Sequence, residues 1–267
     1  MTGPLPLGAV ELGLAAGLVL LLAAATWALR LGIAGSLLIS ALRMAVQLLL
    51  VGLVLDWVFG LDHPAAVGGL LLLMILIAGR EVVARQRGGL RGGSAYAIGS
   101  LSMGLSSGIV GCVLLLAIIR PTPFWEPHYA IPLIGMLLGN TMNGIAIALE
   151  RFTAELHDRR LTIEARLCAG HSLAAALTPI RRRAMQAGLI PTINGMAIAG
   201  LVSLPGMMTG QILSGTPPAE AVRYQILIWL AIAAGTGFGT MLAIELCRRR
   251  LGDERDRLRL DRLQPKR

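Results

Sequence analysis

Lysine is almost missing from this chain: Lys266 is the single one. A Walker A loop needs a lysine in its glycine-rich turn to reach nucleotide phosphates, so the chain holds no P-loop ATPase. The same scarcity excludes a retinal Schiff base within an apolar span. Histidine is sparse too. His63, His128, His157 and His171 are expected in loops, which leaves no Ser–His dyad in an apolar segment, and HExxH is absent. The three cysteines, Cys112, Cys168 and Cys247, are an odd number at unrelated spacings and suggest neither a disulfide framework nor a metal knuckle. No Lys or Arg precedes Arg30, so the basic n-region of a cleaved signal peptide is missing and the first apolar span is expected to persist.

Apolar residues are abundant: 55% of the chain is hydrophobic and the mean hydropathy is +0.71. Such a composition, cut into long runs, indicates an all-α, polytopic bundle of membrane helices. Apolar spans lie at about 8–29, 31–59, 64–79, 94–119, 130–149, 189–213 and 224–247. The net charge of +9 would suggest nucleic acid in a soluble chain, but its placement suggests lipid headgroups. Arginines crowd alternate gaps: Arg30, then Arg80, Arg85, Arg87 and Arg91, then Arg151 to Arg183, then the C-terminal run. The opposite gaps carry only Arg120 and Arg223. The positive-inside rule therefore predicts seven helices with the N-terminus outside and the C-terminus in the cytoplasm. Trp57, Phe59, Phe124, Trp125, Tyr129 and Tyr224 fall near the outer ends, as an aromatic belt would.

Residues 1–249 read as one transmembrane domain with a cytoplasmic segment at 150–188, followed by a basic tail at 250–267 expected to continue as a solvated helix. Within 150–188, Glu155–Ala169 has helical spacing, Gly170 reads as its stop, and Thr178-Pro179 reads as N-cap and first position of a second short helix. The pair suits either a docking platform or an amphipathic hairpin on anionic headgroups. Arg43 is expected at the inner interface, with the true second crossing starting either near Leu31 or near Met44.

The sixth span carries Pro205-Gly206 and then Met207, Met208, Thr209 and Gln211. A proline there frees a backbone carbonyl that lipid cannot satisfy, so a break facing protein or a water-filled cavity is expected, as in transporters. Asn140 and Asn143 in span 5 and Asn194 in span 6 suit either a polar path lining or interhelical hydrogen bonds. Met136, Met142, Met196, Met207 and Met208 offer thioethers that favour soft ions or simply fill gaps. Among the carboxylates Glu11, Asp56, Glu150 and Glu245, Glu150 is the best metal or coupling candidate, with an arginine pair as the alternative. The octets Thr141–Ala148 and Thr192–Ala199 match at six of eight positions, which raises the prospect of paired Asn-Gly sites across the bundle.

The run GLVSLPGMMTGQIL through Gln225, with GNTMNGIA at 139–146 and QLLLVGLVL at 47–55, resembles the FetB-like permeases, membrane subunits of an ABC transporter linked to iron export and metal resistance. The resemblance covers about residues 30 to 250. It implies a separate P-loop ATPase subunit that carries ATP and Mg, a permease homodimer, and a multi-pass place in the bacterial inner membrane. It also implies no catalytic residues and no cofactor in this chain. The motif residues carried over are Asn140, Asn143, Pro205, Gly206, Met207, Met208, Thr209 and Gln211, with Met142 and Asn194 as neighbouring pathway candidates. Glu164, Gly170 and Ile180 fall at offsets of the glutamate-alanine-alanine loop by which many ABC permeases touch their ATPase, although Arg166, Arg182 and Arg183 depart from that pattern. Glu150, Glu164, Gly170, Arg181, Arg182 and Arg183 are therefore the coupling candidates. Glu150, Met207 and Met208 are the candidate metal contacts. Readings that stay open are a seven-helix receptor or sensor without transport, and an ABC permease for an organic solute or lipid.

Overall fold

Glycine-to-glycine crossings decide how these helices pack. The computed structural model describes residues 8–61, 63–86, 89–253, 255 and 257–264. Its helices are α1 Ala9–Ala28, α2 Ala34–Leu61, α3 Pro64–Ala84, α4 Gly93–Val113, α5 Pro127–Asp158, α6 Arg160–Cys168, α7 Leu173–Ile198, α8 Gly206–Leu213 and α9 Pro218–Leu251. A π-helical turn, Leu114–Ile119, extends α4. Among the described residues, six helices are long and apolar enough to cross a bilayer: α1, α2, α3, α4 with its π turn, α5 and α9. The other expected crossing, 189–213, is divided between α7 and α8. No strand occurs among the described residues.

Two apolar clusters sort the helix ends as the charge alternation does. One joins Val58, Val67, Leu114, Ala130 and Ile228, all at ends assigned outside. The other joins Val82, Phe152, Leu156, Ile163, Leu173 and Leu251, all at ends assigned inside. Phe59 stacks on His128 at 4.2 Å at the outer pole. His128 and His157 lie within α5, not in loops. At the inner pole the Arg43 guanidinium pairs with Glu81, one turn before the end of α3. That pair ties Arg43 to the end of α3, on a helix that is continuous from Ala34.

Between the poles, α5, α7 and α9 meet through small residues. A Cβ on Gly188 would lie 2.6 Å from the Gly144 carbonyl oxygen and 2.9 Å from the Ala148 methyl, so α5 and α7 touch backbone to backbone. On the same side of α5, a Cβ on Gly239 would meet Thr141 Cγ2 at 2.7 Å and, on α4, Ser106 Oγ at 2.7 Å. The Gly235/Gly239 pair of α9 thus permits the close approach its spacing predicts. Gly13/Gly17 and Gly206/Gly210 have nothing that close.

Three local expectations are corrected. Helix α7 starts at Ser172, whose Oγ accepts from the Ala175 N–H at 3.3 Å, and it runs on through Pro179 and Pro191. Thr178 is no cap: its Oγ1 donates to the Ala174 carbonyl, one turn back. Packing on α5 and α9 outweighs the hydrogen bonds that the two prolines remove. The matching octets do not pair, because Gly144 meets Gly188 rather than Gly195, two turns out of register. The tail is not a helical extension. It folds back so that Leu263 bridges Leu90, the Arg91 N–H donates to the Arg262 carbonyl at 2.8 Å, and Leu263 is buried. Asp261 in this return is held down to about 2 by the Arg259 guanidinium, which donates two bonds to it. Lys266 and Arg87 lie outside the described residues.

Gly188→Ala is expected to force α5 and α7 apart and cost roughly 1–3 kcal/mol, as overpacking does. A lowered melting temperature of the purified chain checks this, and an unchanged one contradicts the close crossing.

Candidate transport pathway and coupling face

The expected sixth span is broken, at a different place from the proline that announced it. Residues 199–205 are non-helical, and Pro205 is the N-cap of α8 rather than an interior kink. The break hydrogen-bonds itself: the Ile198 carbonyl accepts from the Leu201, Val202 and Ser203 N–H groups, and the Gly200 N–H donates to the Ser203 carbonyl at 2.9 Å. Gly200 adopts φ +82, a left-handed conformation that favours glycine. The Pro205 carbonyl accepts from the Thr209 N–H at 3.0 Å and from its Oγ1 at 3.2 Å.

The pathway candidates separate into two groups. Met207 packs against the outer cluster, Met208, Thr209 and Gln211 are half-buried nearby on α8, and Gly206 is exposed. The α5 group lies further in. Asn140 Nδ2 donates to its own helix at the Met136 carbonyl, 2.9 Å. Met142 packs on the inner cluster, and Asn143 Oδ1 accepts from the Arg85 guanidinium at 2.5 Å. Asn194 is exposed on the outer half of α7, beside Ile193 and Ile198. Glu150 adjoins the inner cluster, so it and the Met207 thioether lie towards opposite poles. Among the described residues, no group of three or more His, Cys, Asp or Glu side chains is placed to hold a metal ion.

The coupling candidates surround two carboxylates. Buried Glu155, on α5, takes Arg183 of α7 at 2.8 Å, Arg151 at 2.9 Å and Arg159 at 3.5 Å. Glu245, on α9, takes Arg248 at 2.6 Å, Arg249 at 3.0 Å and Arg181 of α7 at 3.5 Å. Helix α7 is thereby tied to both neighbours at the inner pole. Arg182 points outward, and Glu164 pairs along α6 with Arg160 at 2.7 Å. Gly170, at φ +88, makes the turn from α6 into α7. Sequence reasoning passed over Glu155 and Glu81. Glu155 was legible in principle, since Arg151 and Arg159 flank it at four residues on each side, the spacing of helical ion pairs.

The family model described as "Uncharacterised protein family (UPF0014)" matches residues 9–251, from the first helix to the end of α9. The chain belongs to that family. A UPF0014 membrane protein of Synechocystis sp. is 44% identical over 76% of this chain and 77% of its own length. YjkA of Bacillus subtilis, also a UPF0014 membrane protein, is 36% identical over 74% of this chain and 76% of its own. The Escherichia coli protein named "Probable iron export permease protein FetB" is 28% identical over 84% of each chain. The resemblance seen in the LPGMMTGQIL run is thus borne out across the whole bundle, and this UPF0014 chain is a membrane protein. No solved structure matches it.

Glu155→Gln would leave three guanidinium groups around a neutral amide. Loss of one partner from a buried ion pair costs about 3–5 kcal/mol, so this variant is expected to destabilise the chain far more than Glu164→Gln on exposed α6. Thermal melting of the two variants side by side measures the difference.

Proposed function

We propose that this chain is the permease subunit of an ATP-driven ABC exporter for iron or a related metal ion, set in the bacterial inner membrane. The observation that carries the reading is the break at 199–205 in the sixth crossing, with polar and thioether side chains just beyond it on α8. The relative named as an iron export permease supports the cargo. With its single lysine outside any glycine-rich turn, the chain leaves ATP and Mg to a separate P-loop subunit.

The inner pole suits the transfer of motion from that subunit. In the α6–α7 corner, Arg166, Cys168 and His171 are exposed and Leu161 keeps 80% of its surface free, an apolar knob on a polar helix. The inward side of α6 carries Ile163, buried in the inner cluster with Ala176 and Ile180 of α7. Helix α7 then runs unbroken to Ile198, about 39 Å at 1.5 Å per residue. A push on α6 when the ATPase pair closes on ATP would reach the break through this rod. In this scheme residues 1–249 act as the permease, 150–188 as its coupling segment and 250–267 as an appended tail. A homodimer is supported by the outer half of α7 and the break that follows it, where the Asn194 amide, Ile193, Leu201 and Val202 are all exposed. A polar amide at that depth needs protein or water beside it rather than acyl chains.

Reconstituted with its ATPase, the chain is expected to show hydrolysis stimulated by Fe2+. Stimulation by an organic solute alone would refute the metal cargo, and hydrolysis indifferent to any cargo would favour a sensor. Leu161→Asp with Gly170→Val should cut copurification of the ATPase severalfold, and undiminished copurification would remove the docking role. Replacing Met207 and Met208 together by leucine should lower efflux, whereas full efflux would assign those thioethers to packing.

A further inference from the structure

Helix α9 turns an apolar stripe towards the protein, with Ala221 buried and Ile228 and Ile232 in the outer cluster. Gln225 interrupts that stripe. Its residue is only 8% exposed, and its Oε1 has no hydrogen-bond partner among the described residues. One turn further in, the Trp229 indole Nε1 is buried and likewise has no partner among them. A buried polar group without a partner has lost its hydration for nothing in exchange, so two on adjacent turns of one helix are expensive.

Their position gives the cost a reason. Helices α7 and α9 run antiparallel, and their contacts set the level of each residue. A Cβ on Gly188 would meet Thr240 Cγ2 at 3.3 Å, and a Cβ on Gly195 would meet the Trp229 ring at 2.4 Å. Four residues outward from Trp229, Gln225 is therefore level with the end of α7 and the start of the break. Met207 of α8 packs against the same cluster as Trp229. The unsatisfied carbonyl oxygen and indole N–H thus stand where the sixth crossing opens.

We infer that Gln225, with the Trp229 indole beside it, is a contact point for the cargo cation at the break. The inference rests on the metal-export reading above and adds to it residues outside the α8 motif. An amide oxygen is a hard, neutral ligand suited to oxygen-seeking cations. The indole N–H cannot ligate a cation but donates to a water in its shell, so a partly hydrated ion satisfies both groups at once. A neutral donor also releases its ion more readily than a carboxylate, as passage requires.

The test is Gln225→Leu in the full chain with its ATPase, measured two ways: ATP-driven Fe2+ accumulation in everted membrane vesicles, and thermal melting of the purified chain. Removing an unpaired amide should leave the melting temperature unchanged or raise it. Transport should fall about tenfold or more, the fold-change that loss of one buried polar contact corresponds to. Trp229→Phe, which keeps the ring against Gly195 and deletes the N–H, should show a smaller loss at unchanged stability, and Gln225→Glu should retain more transport than leucine. Normal Fe2+ accumulation by Gln225→Leu overturns the inference, as does a lowered melting temperature, which would make the amide structural. Absence of cation transport by the unaltered chain would instead remove the export reading, and this inference with it.

Discussion

The contact between Gly144 and Gly188 is the constraint on which the rest depends. With no side chain on either residue, the backbone of α7 is drawn against α5, and α9 closes over both. Lipid offers no hydrophobic drive for helices to associate, so this close packing must supply much of the attraction that water would otherwise provide. Held there, α7 meets Glu155 and Glu245 with its arginines at one end and delivers the break at the other. If the crossing were looser, the arginines would miss their carboxylates, and Trp229 would not lie on Gly195.

Charge excess gives the inner pole its character. Two carboxylates each serve three arginines, leaving both clusters positive. Exposed pairs of this kind contribute little individually. The buried Glu155 cluster differs, because its carboxylate is removed from solvent and bridges α5 and α7. The arginines that crowd this end of the chain's helices also lock α7 in place in the folded state.

Much of this was legible in the residues. Apolar length located the six helices long enough to cross a bilayer, and the Pro205-Gly206 signal pointed within a few residues of a real break. The exact site was missed because local helix-breaking rules ignore packing. Pro191 lies in the helix without ending it, while the chain leaves the helix at Ala199, where Gly200 can take a left-handed turn. The octet echo misled because helical register depends on which glycines meet, and that is set across the bundle. The tail misled because regular leucines fit a helix as well as a chain that buries Leu263 on Leu90. Gln225 and Trp229 carry no local signal, since their lack of partners becomes visible only once α7 is in place.

The returning tail has a consequence for biogenesis. Leu90 belongs to the connection between α3 and α4, whereas Leu263 is made only after α9. This end of the bundle therefore cannot be sealed until the chain has been made past Leu263, however early the first helices insert. A quality-control protease would meet an unfinished product with its third connection still open.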